Sequence, residues 1–318
     1  MNATPPWHIW IDRPPPAGVA IPDDILFTDD VTGADGAIVG ADKPWNASAC
    51  NRLPRLKVVA RAGIGYDNVD PAACAAAGVA TCNTPDAPTV STAERSLALL
   101  LAVSKRIKPS EYRLRAGLGD YWPTHGAMEL EGRTLGLVGG GRIGSRMARF
   151  GAALGMAVLV FDPYLVASAV AGRAELVDLD ELWRHSDIVS LHAPATEETR
   201  HIVNADSIAA MGPGAIVLNC ARGSLIDHDA LLAGLESGHI AGAGLDVTEP
   251  EPLPADHPLL GRDDVIVTPH VASSTTAGAV RLIGQALEQA VEWLRGGTPA
   301  HLLDPAAANP AVDRRKTS

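Results

Sequence analysis

Short apolar, β-branched runs alternate with longer helical patterns along almost the whole chain, and that alternation admits few folds. WHIWID, GAIVG, KVVARAG and GVATCN form a first series, and TLGLVG, MAVLVFD, DIVSLHAP, AIVLNCARG, IAGAGLDV and VIVTP form a second. A strand followed by a helix and another strand closes most readily as a parallel βαβ unit, so the pattern predicts parallel α/β layers. At 318 residues the chain exceeds one typical domain. Two doubly wound parallel-sheet domains are expected, and the six runs of the second series suit a complete dinucleotide-binding sheet.

Between the two series lies TVSTAERSLALLLAVSKRIK, where Ser91 and Glu94 have capping-box spacing ahead of a long apolar helix. This helix reads as the crossing between domains, and the last helical pattern, TAGAVRLIGQALEQAVEWLRGG, is long enough to return the chain to the first one. The expected division is residues 1–100 with 284–318, and residues 101–283. The tail after Pro305 reads as disordered.

Charge and cysteine content narrow the partners. With 26 Lys and Arg against 37 Asp and Glu the formal charge is −11, and no basic run tracks a phosphate backbone, which argues against nucleic acid. Cys50, Cys74, Cys82 and Cys220 show neither metal-ligand spacing nor a dense disulfide framework, so they read as core residues in a reducing compartment, with no metal. The N-terminus lacks the cationic start and apolar stretch of a signal peptide. No apolar run reaches the roughly 18 residues of a membrane span. A soluble, cytoplasmic protein is expected.

The segment TLGLVGGGRIGSRMARFGAALG places Gly139-x-Gly141-x-x-Gly144 directly after a strand pattern and at the opening of a helix. A dinucleotide needs that context: a tight turn, a backbone able to approach the pyrophosphate, and a helix N-terminus facing the phosphates. Asp162 ends the next strand, 18 residues after Gly144. A carboxylate there accepts from a ribose 2′-hydroxyl and repels a 2′-phosphate, which favours NAD over NADP.

Three further strands of the second series end in reactive side chains: Arg222 in NCARG, Asp246 in GAGLDVTEPEPLP and His270 in VIVTPH. An arginine at the end of a strand buried on both faces needs an anionic partner, and a substrate is one candidate. The carboxyl ends of parallel strands form the ligand crevice of open sheets, so these groups can converge although they are distant in sequence.

In order along the chain, RAGIGYDNVD, NTPDAPTVSTAE, GLVGGGRIG, FDPY, NCARGSLID, GLDVTEPEPLP and TPH closely resemble the D-isomer-specific 2-hydroxyacid dehydrogenases, the family of phosphoglycerate, glycerate/hydroxypyruvate and D-lactate dehydrogenases. The resemblance implies a flavodoxin-like substrate domain, a Rossmann NAD-binding domain, and Arg222, Glu251 and His270 as catalytic residues. Glu251 is preferred to Glu249 because the family's acid stands five residues after the aspartate and directly before PL or PP. By this carry-over His270 is the acid/base, Glu251 holds its tautomer, and Arg222 binds the substrate's carboxylate and carbonyl oxygens. Gly63, Ile64 and Gly65 of RAGIGYDN contact the substrate carboxylate through backbone N–H groups. Arg142, Ile143, Cys220, Ala221 and Asp246, with Arg222 and His270, join Gly139, Gly141, Gly144 and Asp162 around the cofactor. Cys220 is expected to line the site, not to act as a nucleophile. Ala193 replaces a threonine that many relatives use toward the cofactor.

Phosphoglycerate enzymes of this family carry an arginine just after the strand written here GAIVG, where this chain has Gly40 with Asp42 close by. Lys43 or Arg61 could substitute for it. The chain also ends without the regulatory domain many of those enzymes have, so small unphosphorylated acids are favoured. GLDVTEPEPLPADHPLL resembles glyoxylate/hydroxypyruvate reductases, which often prefer NADPH, whereas Asp162 points to NAD. The expected function is an NAD-dependent reductase of hydroxypyruvate, glyoxylate or a related 2-oxo acid. D-3-phosphoglycerate dehydrogenase and an NAD(H)-sensing corepressor-like binding protein are the alternatives. Trp45, Tyr66 and Trp122 read as packing residues. By family analogy the helix from Ser91 and KPSEYRLRAGLGDYW form the arm of a homodimer, and the domains are joined by a hinge.

Overall fold

The computed structural model describes residues 6–119, 121–170 and 172–303, so the tail after Pro305 lies outside the described residues. The chain divides into two compact units, one through Thr89 and again from Ser273 onward, the other Val90–Ala272. These limits fall at the starts of the two long helices, not within them. The helix Thr89–Ser104 sends Leu99, Leu100 and Val103 into the same core as Leu135, Leu137 and Met147 of the second unit. The helix Thr276–Leu294 packs Ile283, Leu287, Ala290, Val291 and Leu294 against the first sheet.

The first unit holds strands β1 (Trp7–Ile11), β2 (Ile25–Thr28), β3 (Gly36–Val39), β4 (Val58–Arg61) and β5 (Ala80–Asn83). All pair in parallel, in the order β2-β1-β3-β4-β5, which is the flavodoxin-like order expected from the resemblance. β3 and β4 are buried along their whole length, as strands covered on both faces must be. One face packs Ile9, Ile38, Val58 and Ala60 against Thr276–Leu294. That helix begins at Thr275, whose side chain accepts from the Gly278 N–H at 2.9 Å. The other face packs Ala37, Val39 and Val59 with Trp45, Cys50, Tyr66 and Cys74. β2 is not among the runs read from sequence: four residues between Pro22 and Asp30 carry too little pattern.

The second unit holds β6 (Thr134–Val138), β7 (Ala157–Phe161), β8 (Glu175–Leu176), β9 (Ile188–Leu191), β10 (Ala215–Asn219), β11 (Ile240–Leu245) and β12 (Val265–Val267). Their order is β12-β11-β10-β9-β6-β7-β8, all parallel. Counted from β6 this is the dinucleotide-binding order 3-2-1-4-5-6 with a seventh strand added, and the winding reverses between β6 and β9. β8, two residues at the sheet edge, was not legible in the sequence. No helix among the described residues is long and apolar enough to cross a membrane.

Within the first unit the buried Gln289 bridges two backbones: its amide donates to the Asn83 carbonyl and its oxygen accepts from the His301 N–H at 2.8 Å. Gln289→Leu strands both groups without water, and we expect a loss of about 1–3 kcal/mol. Urea denaturation of wild type and variant would show it as a lower midpoint at unchanged slope.

Candidate active site

The turn after β6 is shaped by what its glycines leave out. Gly139 has φ of 99°, and a Cβ there would lie 2.7 Å from the His192 carbonyl oxygen at the end of β9. A Cβ at Gly144 would strike the Gly139 carbonyl oxygen. Gly141 begins the helix Arg142–Ala153 without a side-chain cap, which leaves first-turn N–H groups to a ligand. The turn sits where the winding reverses, and its amide-lined concavity fits a dinucleotide diphosphate. Arg142 is exposed and Ile143 half-buried at this edge. Asp162, at the end of β7, accepts from the N–H groups of Gly140 and Tyr164, both at 3.0 Å. Besides standing where a ribose acid is expected, it therefore pins the turn itself.

At the end of β10 the Asn219 side chain folds the next residues: its oxygen accepts from the Ala221 N–H at 2.9 Å and its amide donates to the Arg222 carbonyl at 2.8 Å. Arg222 is half-buried and donates from Nη1 to the Ala221 carbonyl at 2.7 Å. Burial pushes the Cys220 thiol up to about 12, too high for a thiolate nucleophile at neutral pH. Gly223 lets this loop press on the next one, because a Cβ there would lie 2.7 Å from the Glu249 nitrogen.

Asp246 ends β11 and is 1% exposed. Its Oδ1 accepts from the Thr268 hydroxyl at 2.5 Å and the Val271 N–H at 3.1 Å, and its Oδ2 from the Ala272 N–H at 2.7 Å. Its carbonyl accepts from the His270 N–H at 2.7 Å. The residue expected to line the cofactor thus has its carboxylate engaged behind the turn after β12. That turn holds His270 at φ of 52°, a conformation few side-chain-bearing residues adopt.

From there His270 Nδ1 reaches Glu251 Oε1 at 2.6 Å. Glu249 does not: it pairs with Arg200 Nη1 at 3.1 Å and lies 3.7 Å from His201 Nε2. Burial alone would raise the Glu251 carboxyl, but the hydrogen bond and charge of His270, with Thr248 and Arg222, hold it below the usual carboxylate range. A carboxylate that accepts from Nδ1 leaves Nε2 as the nitrogen that exchanges a proton with a ligand. Arg222, Glu251 and His270 thus share the carboxyl-end edge of one sheet. Asn219, Thr268 and the Arg200–Glu249 pair were not singled out from the sequence, and only the asparagine, just before CARG, offered a signal.

The first unit carries the other expected contacts. Gly63 has φ of 152°, and its N–H donates to the Thr84 hydroxyl at 2.7 Å. Its carbonyl accepts from the Thr84 N–H at 3.1 Å, and the Ile64 carbonyl accepts from Asn83 Nδ2 at 2.7 Å. Gly63 therefore shapes the loop with its own N–H directed inward, and the half-buried Ile64 and Gly65 are the positions left to meet an anion. Arg61 is buried beneath, with its guanidinium against Gly63. At the end of β3, the space a side chain at Gly40 would fill is taken by the Arg13 guanidinium, which donates from Nε to Asp12 at 2.9 Å. Trp45 and Tyr66 are buried packing residues as expected, whereas Trp122 is 93% exposed.

Residues 97–272 match the family model described as D-isomer specific 2-hydroxyacid dehydrogenase, NAD binding domain. A glyoxylate reductase of Korarchaeum cryptofilum is 35% identical over 93% of this chain and 89% of its own length. A D-3-phosphoglycerate dehydrogenase of Methanocaldococcus jannaschii is 39% identical over 84% of this chain, but the chain spans only 51% of that protein. The crystal structure of the TT0316 protein from Thermus thermophilus covers 93% of this chain and 100% of its own, with a TM-score of 0.86 at 34% identity.

Gly144→Val drives a branched side chain into the Gly139 carbonyl and opens the turn. We expect NADH affinity to fall at least about tenfold, a loss of about 1.4 kcal/mol, in a fluorescence titration, with circular dichroism reporting a retained fold.

Proposed function

The chain belongs to the D-isomer specific 2-hydroxyacid dehydrogenase family, and on that premise we propose that it is an NAD-dependent 2-hydroxyacid dehydrogenase and 2-oxo acid reductase for a small, unphosphorylated acid of the hydroxypyruvate or glyoxylate type. The observation that carries this reading is the 2.6 Å bond from His270 Nδ1 to Glu251, on the same sheet edge as the dinucleotide turn. Gly139, Gly141, Arg142, Ile143, Gly144, Asp162, Cys220 and Ala221 would hold NAD, which when bound would supply the hydride acceptor for C2 of the hydroxy acid and, when reduced, the donor. His270 gives a proton from Nε2 to the oxygen on C2 during reduction and takes it back during oxidation. Glu251 fixes the tautomer and stabilises the imidazolium. Arg222 binds the substrate's carboxylate and stabilises charge on its carbonyl oxygen. Asp246 is a positioning residue that acts through the His270 turn. Ile64 and Gly65 offer N–H groups to the carboxylate, on a loop that Gly63 shapes.

Two observations narrow cofactor and substrate. Asp162 already holds the dinucleotide turn, so a 2′-phosphate beside it meets a fixed negative charge, which favours NAD. Arg13, the cation above Gly40, is paired with Asp12, which disfavours a second, phosphate-sized anion at this strand end. The net charge of −11 fits a small-molecule partner better than nucleic acid. Four buried free cysteines fit a cytoplasmic setting.

Initial rates of NADH and NADPH oxidation against hydroxypyruvate, glyoxylate, pyruvate and 3-phosphohydroxypyruvate test the reading. The expected result is NADH-linked reduction of an unphosphorylated acid, with kcat about 10²–10⁴-fold lower in His270→Asn. Preference for the phosphorylated acid would reassign the substrate. Tight NADH binding without turnover of any acid would favour a binding protein. Because reduction consumes the imidazolium and oxidation the free imidazole, kcat/KM for reduction should fall, and for oxidation rise, with increasing pH. The depressed Glu251 pKa adds a loss of activity only in acid, as pH falls through that lowered value.

The proposed assembly is a homodimer. Ile107, Tyr112, Leu114, Leu118 and Trp122 are 55%, 53%, 68%, 44% and 93% exposed within one short stretch, and so much apolar surface calls for a covering partner. Light scattering should give twice the chain mass for the wild type and a lower mass for Leu114→Glu/Trp122→Glu. A wild-type monomer at micromolar concentration would remove the dimer.

A further inference from the structure

Two of the four cysteines face each other inside the first unit. Cys50 lies on the helix Ala47–Asn51 and Cys74 on the helix Pro71–Ala76, with their Sγ atoms 2.9 Å apart. They are 3% and 0% exposed. Their sulfurs need to approach by only about 1 Å more to reach the ~2.05 Å of a disulfide. The carriers are well fixed. Asn46 caps the first helix through the Ala49 N–H at 3.2 Å, and Asp70 caps the second through the Ala73 N–H at 2.9 Å. The two helix starts are joined by Trp45 N–H to the Asn68 carbonyl at 2.6 Å and Asp70 N–H to the Trp45 carbonyl at 2.9 Å.

A hydrogen bond between thiols is weak, and two small apolar residues would fill the same space. We infer that Cys50 and Cys74 form a reversible intramolecular disulfide when the protein meets a hydroperoxide, and that this is a redox-modification site in the first unit. The Cys50 sulfur attacks the peroxide, the O–O bond breaks, and a sulfenic acid and water result. Cys74 then attacks the Cys50 sulfur, the S–O bond breaks, and a second water leaves. Two thiols and one hydrogen peroxide give one disulfide and two waters.

The order follows from the surroundings. The hydrogen bond with Cys74 lowers the Cys50 pKa despite burial, while the same hydrogen bond and burial raise Cys74. Cys50 is also the more exposed of the two and lies beside the exposed Asn51 and Arg52. Cys82 and Cys220 serve as internal controls. Burial pushes each up to about 12, and Cys82 Sγ faces the Val59 carbonyl at 3.9 Å. The cross-link would close a loop from residue 50 to residue 74, which contains β4 and all of Gly63–Gly65. It is independent of the proposed catalytic activity, because its readouts are chemical.

The test treats the reduced full-length protein with hydrogen peroxide, unfolds it under acid quench, and counts thiols. The expected result is a fall from the four thiols of the sequence to two, an intact mass lower by two hydrogens, and fragment spectra joining Cys50 to Cys74 and not to Cys82. Dithiothreitol restores all four. The oxidised protein should melt about 5 °C higher than the reduced one. Cys50→Ala and Cys74→Ala should each abolish the cross-link, and the wild-type mass map decides the matter if either variant fails to fold. Retention of four thiols, a link involving Cys82 or Cys220, or sulfinic acid at Cys50 without a cross-link would overturn the inference.

Discussion

A carboxylate that is 1% exposed organises the chemistry of the second unit. Burying Asp246 is costly unless its oxygens are matched, and the Thr268 hydroxyl and the N–H groups of Val271 and Ala272 match them. Those donors all come from the turn after β12. Satisfying one buried charge therefore fixes the turn, and the turn sets His270 in a left-handed conformation that its own preference would not select. Glu251 then finds the imidazole at 2.6 Å. The His270–Glu251 pair can stay partly solvated and still be well oriented, because the Asp246 carboxylate that holds its turn lies out of reach of water.

The parallel sheet supplies the rest of the geometry. Each strand buries its backbone bonds and delivers the residues that follow it to the same edge, so Gly139, Asp162 and Asp246 directly after their strands, and Arg222 and His270 three residues past theirs, all stand at that edge although they span 132 positions of sequence. Loops at that edge approach more closely than side chains permit, as at Gly223 against Glu249.

Much of this was legible in the sequence because hydrophobic period and strand-end chemistry are local. Ten strand runs and the nucleotide turn follow from residues adjacent in the chain, whereas the preference for Glu251 over Glu249 rests on the family resemblance. β2 and β8 were not legible, since four and two residues are too few for a period. Asp246 reads in sequence only as a strand-end acid, and which way its carboxylate faces depends on a turn 22 residues later. The meeting of Cys50 with Cys74 depends on two helices crossing one face of a sheet, and no spacing rule encodes it. Trp122 reads as a packing residue by type alone, yet it projects outward.

In the first unit, charge pairing bears on the proposed substrate preference without any steric clash. At Gly40 the missing side chain makes room for the guanidinium of Arg13, so a cation does stand at that strand end. Asp12 binds it through Nε at 2.9 Å and also accepts the Gly40 N–H. A dianionic group reaching this position would have to displace a carboxylate that is covalently tethered, already hydrogen-bonded and only 18% exposed. Under the proposed function, the carboxylate common to all 2-oxo acids would face no such competition, because backbone N–H groups carry no counter-charge that has to be removed. On that proposal, selection against a second anion would arise from an arginine that is present but already neutralised.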